Sequence, residues 1–176
     1  MQMQAEDKHG DELFPYRFAV ITMSDKGFRG ERTDTSGAAL KELLIGHGYQ
    51  LCHYSIVPDQ VEHIVDAVNA AISLDNADLI VTTGGTGVSP SDVTPEAMDS
   101  LIDRELPGIA EAMRASSLLL TPMAVLSRGR AGIRGNTLII NLPGSRKAAL
   151  ENIEVVLPAL RHAVEKIKGS TADCGR

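Results

Sequence analysis

Short apolar segments alternate with amphipathic helical segments along this 176-residue chain, and this alternation constrains its fold more than any other feature. An uninterrupted apolar run of four to eight residues is typical of a strand buried on both faces, as in a parallel sheet. Strands that alternate with helices predict right-handed crossovers in one α/β domain with a mostly parallel sheet. The predicted strands are RFAVITMS (17–24), YQLCHYSIVP (49–58), ADLIVTT (77–83) and TLIIN (137–141), with one or two shorter strands just before the last.

The clearest predicted helix lies between the second and third of these strands. Its apolar residues recur at the spacing i, i+3, i+4, i+7, which places them on one face of a helix. They are Val61, Ile64, Val65, Val68 and Ile72. Further helices are predicted over 36 to 46 or 48, over 95 to 102 with Thr94 as N-cap, over 109 to 120, and from Ser145 onwards with a break or a new start at Pro158.

Composition and charge narrow the classes of function. The net charge is −6 and tryptophan is absent, whereas a nucleic-acid surface needs a basic field and aromatic stacking platforms. No segment approaches the roughly 18 apolar residues of a membrane span. The polar, acidic residues 1–15 lack the basic start and apolar core of a signal peptide. We therefore expect a cytoplasmic protein with a frayed segment 1–15, a single domain over 16–169 and a flexible tail over 170–176.

Four polar or glycine-rich loops follow the predicted strands. In open α/β sheets ligands bind beyond the carboxyl ends of the strands, so we expect these loops to share one edge of the sheet. The first loop holds Ser24 and Asp25, the second Asp59, the third GGTGVSPSDVTPEA (84–97), and the last Pro143, Gly144 and Ser145.

The third loop has the composition of an anion-binding turn. Gly84, Gly85 and Gly87 lack a Cβ, so their backbone can adopt positive φ and approach a ligand closely. Consecutive N–H groups in such a turn form a nest for anions, and the threonines at 82, 83 and 86 add hydroxyl donors. The spacings of a Walker loop and of a GxGxxG loop are both absent. A tight strand-to-helix turn without a ligand explains the glycines equally well.

Two aspartates favour a ligand site over a bare turn. Asp59 and Asp92 are expected at the ends of two strands that face one cleft. Carboxylates beside an anion nest repel a polyphosphate unless a cation lies between them. Because Mg²⁺ can be held by one or two carboxylates together with substrate phosphates, the pair indicates a Mg²⁺–nucleotide site. The alternative is that both acids are solvated and cap turns.

The third loop also carries a family resemblance. TTGGTG, four residues and then DVTPEA (82–97) resemble the signature of the molybdopterin-binding domain family. The chain is similar, within that family, to the stand-alone molybdopterin adenylyltransferases. The likeness covers roughly residues 18–169 and continues in VITMSDKGFRGERTDTSG, IVPDQ, LPGIAEAMR, MAVLSRGRAGIRGNTLIINLPGS and LPALRHAVEKIKG.

This resemblance implies a fold, an assembly and a reaction. The fold is a three-layer α/β/α domain and the assembly is a homotrimer. In the reaction, the terminal phosphate of molybdopterin attacks the α-phosphate of Mg-ATP to give adenylyl-molybdopterin and pyrophosphate, with a molybdenum insertase as the downstream partner. Asp59 and Asp92 are then the essential acids near Mg²⁺. The implied binding residues are Thr83, Gly84, Gly85, Thr86 and Gly87 in the loop, with Ser24, Asp25, Asn141, Pro143, Gly144 and Ser145 elsewhere in the cleft.

Two anionic substrates also need positive charge near them. The candidate cations are Arg128, Arg130, Arg134, Arg146 and Lys26. Two alternative functions remain open from the sequence. One is a molybdenum insertase, which shares this domain but carries extra domains for which this chain has no room. The other is a pterin-binding trimeric relative with weak or no catalysis.

Overall fold

A computed structural model describes residues 16–171, and the predictions for residues 1–15 and 172–176 lie outside that range. The described chain begins with β1 (Arg17–Met23), α1 (Asp25–Phe28), α2 (Thr35–Gly46), β2 (Gln50–Val57), α3 (Val61–Ser73) and β3 (Leu79–Thr83). It continues with α4 (Thr94–Met98), β4 (Arg104–Glu105), α5 (Pro107–Leu118), a 3₁₀ helix (Pro122–Leu126), β5 (Ala131–Arg134), β6 (Thr137–Leu142) and α6 (Arg146–Ile167).

The strands form one six-stranded sheet in the order β2-β1-β3-β6-β5-β4. The first four run parallel; at one edge β5 pairs antiparallel with β6, and β4 pairs antiparallel with β5. Thr22 lies opposite Thr83, and Thr83 lies opposite Leu142, so β1, β3 and β6 end at the same level. The loops that follow these strands therefore meet at one edge of the sheet, as the sequence predicted.

Helices cover both faces of the sheet. On one face α2, α5 and α6 bury an apolar core that includes Phe18, Leu40 and Ile153. On the other face α3 and α4 bury a second core that includes Ile21 and Ile64. The prediction of a three-layer α/β/α domain with a mostly parallel sheet is confirmed.

The α3 stripe packs as its spacing predicts. Ile64 and Val68 are fully buried, and Val61, Val65 and Ile72 pack against the same core. Among residues 16–171, no helix is both long enough and apolar enough to span a bilayer.

Three helix predictions are wrong in detail. The helix predicted over 95 to 102 ends at Met98. Thr94 is not an N-cap but the first residue of α4, because its hydroxyl donates to the carbonyl of Gly84 (2.9 Å) instead of capping the helix. Pro158 neither breaks nor starts a helix, since α6 continues through it and its apolar face stays packed from Ile153 to Val164. The predicted cap at Ser145 is confirmed, because its hydroxyl accepts from the N–H of Ala148 (3.3 Å).

Candidate active site

The candidate site lies at the edge of the sheet where the parallel strands end. Its central element is the loop after β3, in which Gly84 and Gly85 have φ of 106° and 63°. A Cβ on Gly84 would stand 2.4 Å from the carbonyl oxygen of Met23, and one on Gly85 would stand 2.4 Å from Oγ1 of Thr94. The backbone can therefore follow this path only with glycine at both positions.

Hydroxyl side chains hold the carbonyl groups of the site loops. Thr83 Oγ1 donates to the carbonyl of Pro143 (2.7 Å), and Ser36 Oγ donates to that of Gly144 (2.8 Å). Thr94 holds the Gly84 carbonyl in the same way. Because these carbonyls point into the fold, the backbone N–H groups of the loops can point away from it.

Two runs of backbone N–H groups are available at this edge. Within residues 16–171, the N–H groups of residues 85–88 donate to no acceptor. The same holds for residues 144–147, which lead into the N-terminus of α6. Consecutive donors of this kind, one set at a positive helix end, form a binding site for phosphate groups.

Asp59 lies beside the glycine loop and forms two hydrogen bonds with Asp25. The Asp25 N–H donates to Asp59 Oδ2 and the Asp59 N–H donates to Asp25 Oδ1, both at 3.0 Å. Asp59 Oδ1 lies 3.4 Å from the point where a Cβ on Gly85 would stand. Burial raises the pKa of Asp59, the charges of Asp25 and Asp92 raise it further, and the Asp25 N–H opposes them.

Asp92 lies at the other end of the same loop. Its Oδ2 accepts from the N–H of Ser89 (2.8 Å) and lies 2.7 Å from the point where a Cβ on Gly87 would stand. Both aspartates therefore flank the glycine loop at one edge of the sheet, and neither lies at the opposite end.

The carboxylates fit Mg²⁺ that arrives with a substrate better than a resident metal. In residues 16–171 no group of three or more His, Cys, Asp or Glu side chains could hold a metal ion. Asp59 and Asp92 each keep one oxygen, Oδ1, that accepts no hydrogen bond from the described residues. Because Mg²⁺ needs only one or two carboxylates when phosphates and water complete its octahedron, this donor set suits Mg-ATP.

A pocket of about 520 Å³ opens beside the glycine loop. Its walls are the glycine loop, the C-terminal half of α5, the 3₁₀ helix and the first turns of α6. Of the predicted residues, Gly85, Thr86, Gly87, Asp92, Pro143 and Gly144 line it. Thr86 is buried, and its hydroxyl, which has no hydrogen-bond partner among residues 16–171, is open to the pocket.

The other predicted residues shape the site without lining this pocket. Ser24 Oγ accepts from the N–H of Gly27 and caps α1, and Asp25 anchors Asp59. The buried Asn141 donates to Thr82 Oγ1 (3.0 Å) and accepts from the N–H of Arg130, so it ties β6 to its neighbours. Thr83 holds the Pro143 carbonyl, the Gly84 carbonyl is held by Thr94, and Ser145 caps α6, as described above.

Three of the predicted arginines bind the segment 87–105, which follows β3, and one of them holds the glycine loop itself. Arg128 donates to the carbonyls of Gly87 (2.7 Å) and Asp92 (2.5 Å) and pairs with Glu96. Arg130 pairs with Asp99 and Glu105, and Arg134 donates to the carbonyls of Ser100 and Leu101. Lys26 in α1 and Arg146 at the first position of α6 are exposed.

Sequence reasoning missed pocket residues on two helices. Arg114 on α5 lines the pocket and donates to the carbonyl of Gly129 (2.9 Å). On α6, Ala148, Glu151 and Asn152 line it as well. Their i, i+3, i+4 spacing beyond the Ser145 cap was the available signal, since it places them on one helical face that begins at the site loop.

Comparisons with known proteins agree with this geometry. A model of the family described as probable molybdopterin binding domain matches residues 19–162. Molybdopterin adenylyltransferase of Helicobacter pylori strain J99 is 41% identical over 153 residues, which are 86% of this chain and 87% of the relative. Gephyrin of Dictyostelium discoideum is 43% identical over 169 residues, which are 90% of this chain but only 23% of that longer protein.

The fold is shared with solved structures. The molybdopterin biosynthesis enzyme MoaB of Thermus thermophilus superimposes with a TM-score of 0.82 at 51% identity, covering 88% of this chain and 97% of MoaB. The match of the family model and the identity to relatives of similar length extend over nearly all of the described chain. The chain therefore belongs to the probable molybdopterin binding domain family.

Proposed function

We propose that this protein adenylylates molybdopterin with Mg-ATP and releases pyrophosphate, as a step of molybdenum cofactor biosynthesis. One observation carries the proposal: two runs of backbone N–H groups that donate to no acceptor among residues 16–171, 85–88 and 144–147, lie at one edge of the sheet, beside a pocket that Asp92 lines and a glycine loop that Asp59 adjoins. The chain works in molybdenum cofactor biosynthesis, as its family does. The adenylylation itself is inferred from the groups that two phosphate-bearing substrates need in order to react.

The chain's own groups have distinct tasks in this reaction. The N–H groups of the glycine loop and of the α6 N-terminus hold phosphate oxygens and keep the two reacting phosphates in line. Asp59 and Asp92 would hold Mg²⁺, which when bound neutralises charge on the ATP phosphates. The attacking phosphate monoester is already ionised at neutral pH, so neither aspartate needs to remove a proton.

The two alternative functions are not favoured. A relative that this chain matches along 87% of its length is named molybdopterin adenylyltransferase, which disfavours an insertase. Both acids and both runs of N–H donors are present, which disfavours a relative that only binds the pterin.

The direct test is an assay of purified protein with molybdopterin and Mg-ATP in which pyrophosphate is measured. We expect pyrophosphate only when both substrates are present, and none when EDTA removes Mg²⁺. Pterin binding without pyrophosphate release would contradict the proposal. Consumption of preformed adenylyl-molybdopterin on addition of molybdate would identify an insertase instead.

We further propose that the protein is a cytoplasmic homotrimer that passes its product to a molybdenum insertase. Support for self-association comes from an exposed apolar surface at the end of α5 and on the 3₁₀ helix, here named the α5 patch. Contiguous exposed apolar residues of this kind mark interaction surfaces. The α5 patch comprises Leu118, Leu119, Leu120, Met123, Val125 and Leu126.

The assembly can be tested with a charge in the α5 patch. Leu119 is 88% exposed, so Leu119→Glu costs the folded subunit little but would bury a carboxylate in an interface formed there. We expect sedimentation to show a trimer for the parent and a monomer for Leu119→Glu. Leu74→Glu, at a position 76% exposed beyond the end of α3, is the control and is expected to stay trimeric. A trimeric Leu119→Glu protein would exclude the α5 patch as the interface.

A further inference from the structure

Asn152 presents an unpaired acceptor inside the pocket. The residue is only 6% exposed, and its Nδ2 donates to Ser117 Oγ (2.9 Å) and to the carbonyl of Ala148 (2.8 Å). A carbonyl can only accept, so the amide orientation is determined and Oδ1 points away from Ala148. No donor within residues 16–171 reaches Oδ1, and this atom is not sealed from the pocket that Asn152 lines.

Glu151 adds a carboxylate to the same wall. It lines the pocket and is partly exposed there, and its partner Lys147 stands at 3.8 Å. Adjacent on α6, Glu151 and Asn152 therefore show the pocket a surface of hydrogen-bond acceptors. A ligand that covers this surface and excludes water from it must supply donors, because an acceptor that becomes buried without a partner is costly.

The hydrogen-bond donors and acceptors of the pocket therefore lie in different parts of it. Besides the side chain of Arg114, its donors are the N–H groups of residues 85–88 and of Gly144, just before α6 begins. Its acceptors follow about six residues after the start of α6, which at 1.5 Å per residue is a separation of roughly 9 Å along the helix axis. A complementary ligand has an anionic end and, at about that distance, an edge with neighbouring N–H donors.

We infer that Glu151 and Asn152 recognise the aminopyrimidinone edge of the pterin, with the substrate's phosphate at the glycine loop. This inference rests on the proposed function. The pterin ring offers two adjacent donors, N3–H and the 2-amino group, whereas the corresponding edge of adenine pairs one donor with one acceptor. The two adjacent acceptors of Glu151 and Asn152 therefore select the pterin over the adenine of ATP, and they select a 2-amino ring over a 2-oxo ring.

The test measures binding and needs no turnover. Calorimetric titration of the full chain would compare 6-hydroxymethylpterin monophosphate with its 2-oxo counterpart, the corresponding lumazine. We expect the parent to prefer the pterin by about tenfold or more, since a charged hydrogen bond is gained and a clash of acceptors is avoided. Glu151→Gln is expected to weaken pterin binding by about tenfold and to bring the preference close to one.

Two further variants provide a control and a second test of the inference. Glu154→Gln changes an exposed carboxylate on α6 outside the pocket and is expected to keep the parent's affinity and preference. Asn152→Leu removes the Oδ1 acceptor at similar volume and is expected to lower the preference as well, once thermal unfolding shows that it folds.

Equal binding of the two rings by the parent, or an unchanged preference in Glu151→Gln, overturns the inference. Loss of ATP affinity in Glu151→Gln without loss of pterin affinity also overturns it, since the wall would then serve the adenine. If the parent prefers the pterin through Glu151 but releases no pyrophosphate from Mg-ATP and molybdopterin, the recognition stands and the proposed adenylylation fails.

Discussion

The Asp92→Asn variant is expected to lose a factor of about 100 or more in pyrophosphate-releasing turnover while it keeps the parent's fold. Asparagine keeps an oxygen that can accept from the N–H of Ser89, so the turn that places residue 92 is preserved. What is lost is the negative charge at the pocket beside Gly87. If that charge holds Mg²⁺, the variant also needs a higher Mg²⁺ concentration for half-maximal rate.

Three measurements check this prediction: turnover at saturating substrates, the Mg²⁺ dependence of the rate, and thermal unfolding. Asp66→Asn is the matched control, because Asp66 lies on the exposed face of α3 away from the site, and it is expected to behave like the parent. Turnover of Asp92→Asn within a few fold of the parent would remove Asp92 from the proposed mechanism. A collapsed fold would instead show that the carboxylate charge is needed for the loop itself.

The Gly84→Ala variant is expected to lose both stability and activity. At φ of 106° an alanine is strained, and its Cβ would stand 2.4 Å from the carbonyl oxygen of Met23 at the end of β1. Backbone strain and overpacking each cost about 1–3 kcal/mol, so we expect the free energy of unfolding to fall by about 2–6 kcal/mol. Relief of the contact would move the loop that presents residues 85–88, and turnover would fall with it.

Gly108→Ala separates this effect from the general consequence of replacing glycine. Gly108 lies in the first turn of α5, with no atom within 4 Å of an added Cβ, so alanine there is expected to be neutral or to stabilise by up to ~1 kcal/mol. Denaturant unfolding and the pyrophosphate assay on both variants test the comparison. Parent-like stability in Gly84→Ala would mean that the loop can take another path without cost.

The edge of the sheet that carries the candidate site could be predicted from the sequence, because it depends on where the strands end. The apolar runs before Ser24, Asp59 and Gly84 mark where strands stop, and parallel strands bring such ends together. The structure places Asp59, in the loop after β2, beside Gly85, and it places Asp92, in the loop after β3, beside Gly87. Their roles in catalysis stay predictions that the variants above test.

Which groups the polar side chains bind could not be predicted in this way. Thr83 and Thr94 were candidates for a ligand and for a helix cap, yet both hydroxyls hold backbone carbonyls. Arg128 was a candidate phosphate ligand, yet it clamps the loop through Gly87 and Asp92. Hydroxyl and guanidinium groups bind any nearby acceptor, so their partners depend on which segments the fold makes neighbours.

Local sequence patterns were enough to specify the α/β alternation, the mostly parallel sheet, the glycine loop and the edge at which the polar loops meet. These features follow from local periodicity and from glycine's freedom at positive φ, which residue types and spacing carry directly. The folded arrangement was needed to show that Ser36 holds Gly144, 108 residues away, and that Glu151 and Asn152 form a wall of the pocket. Such contacts depend on strand order, register and helix docking, which bring distant segments within hydrogen-bond distance and leave no trace in the spacing of any one segment.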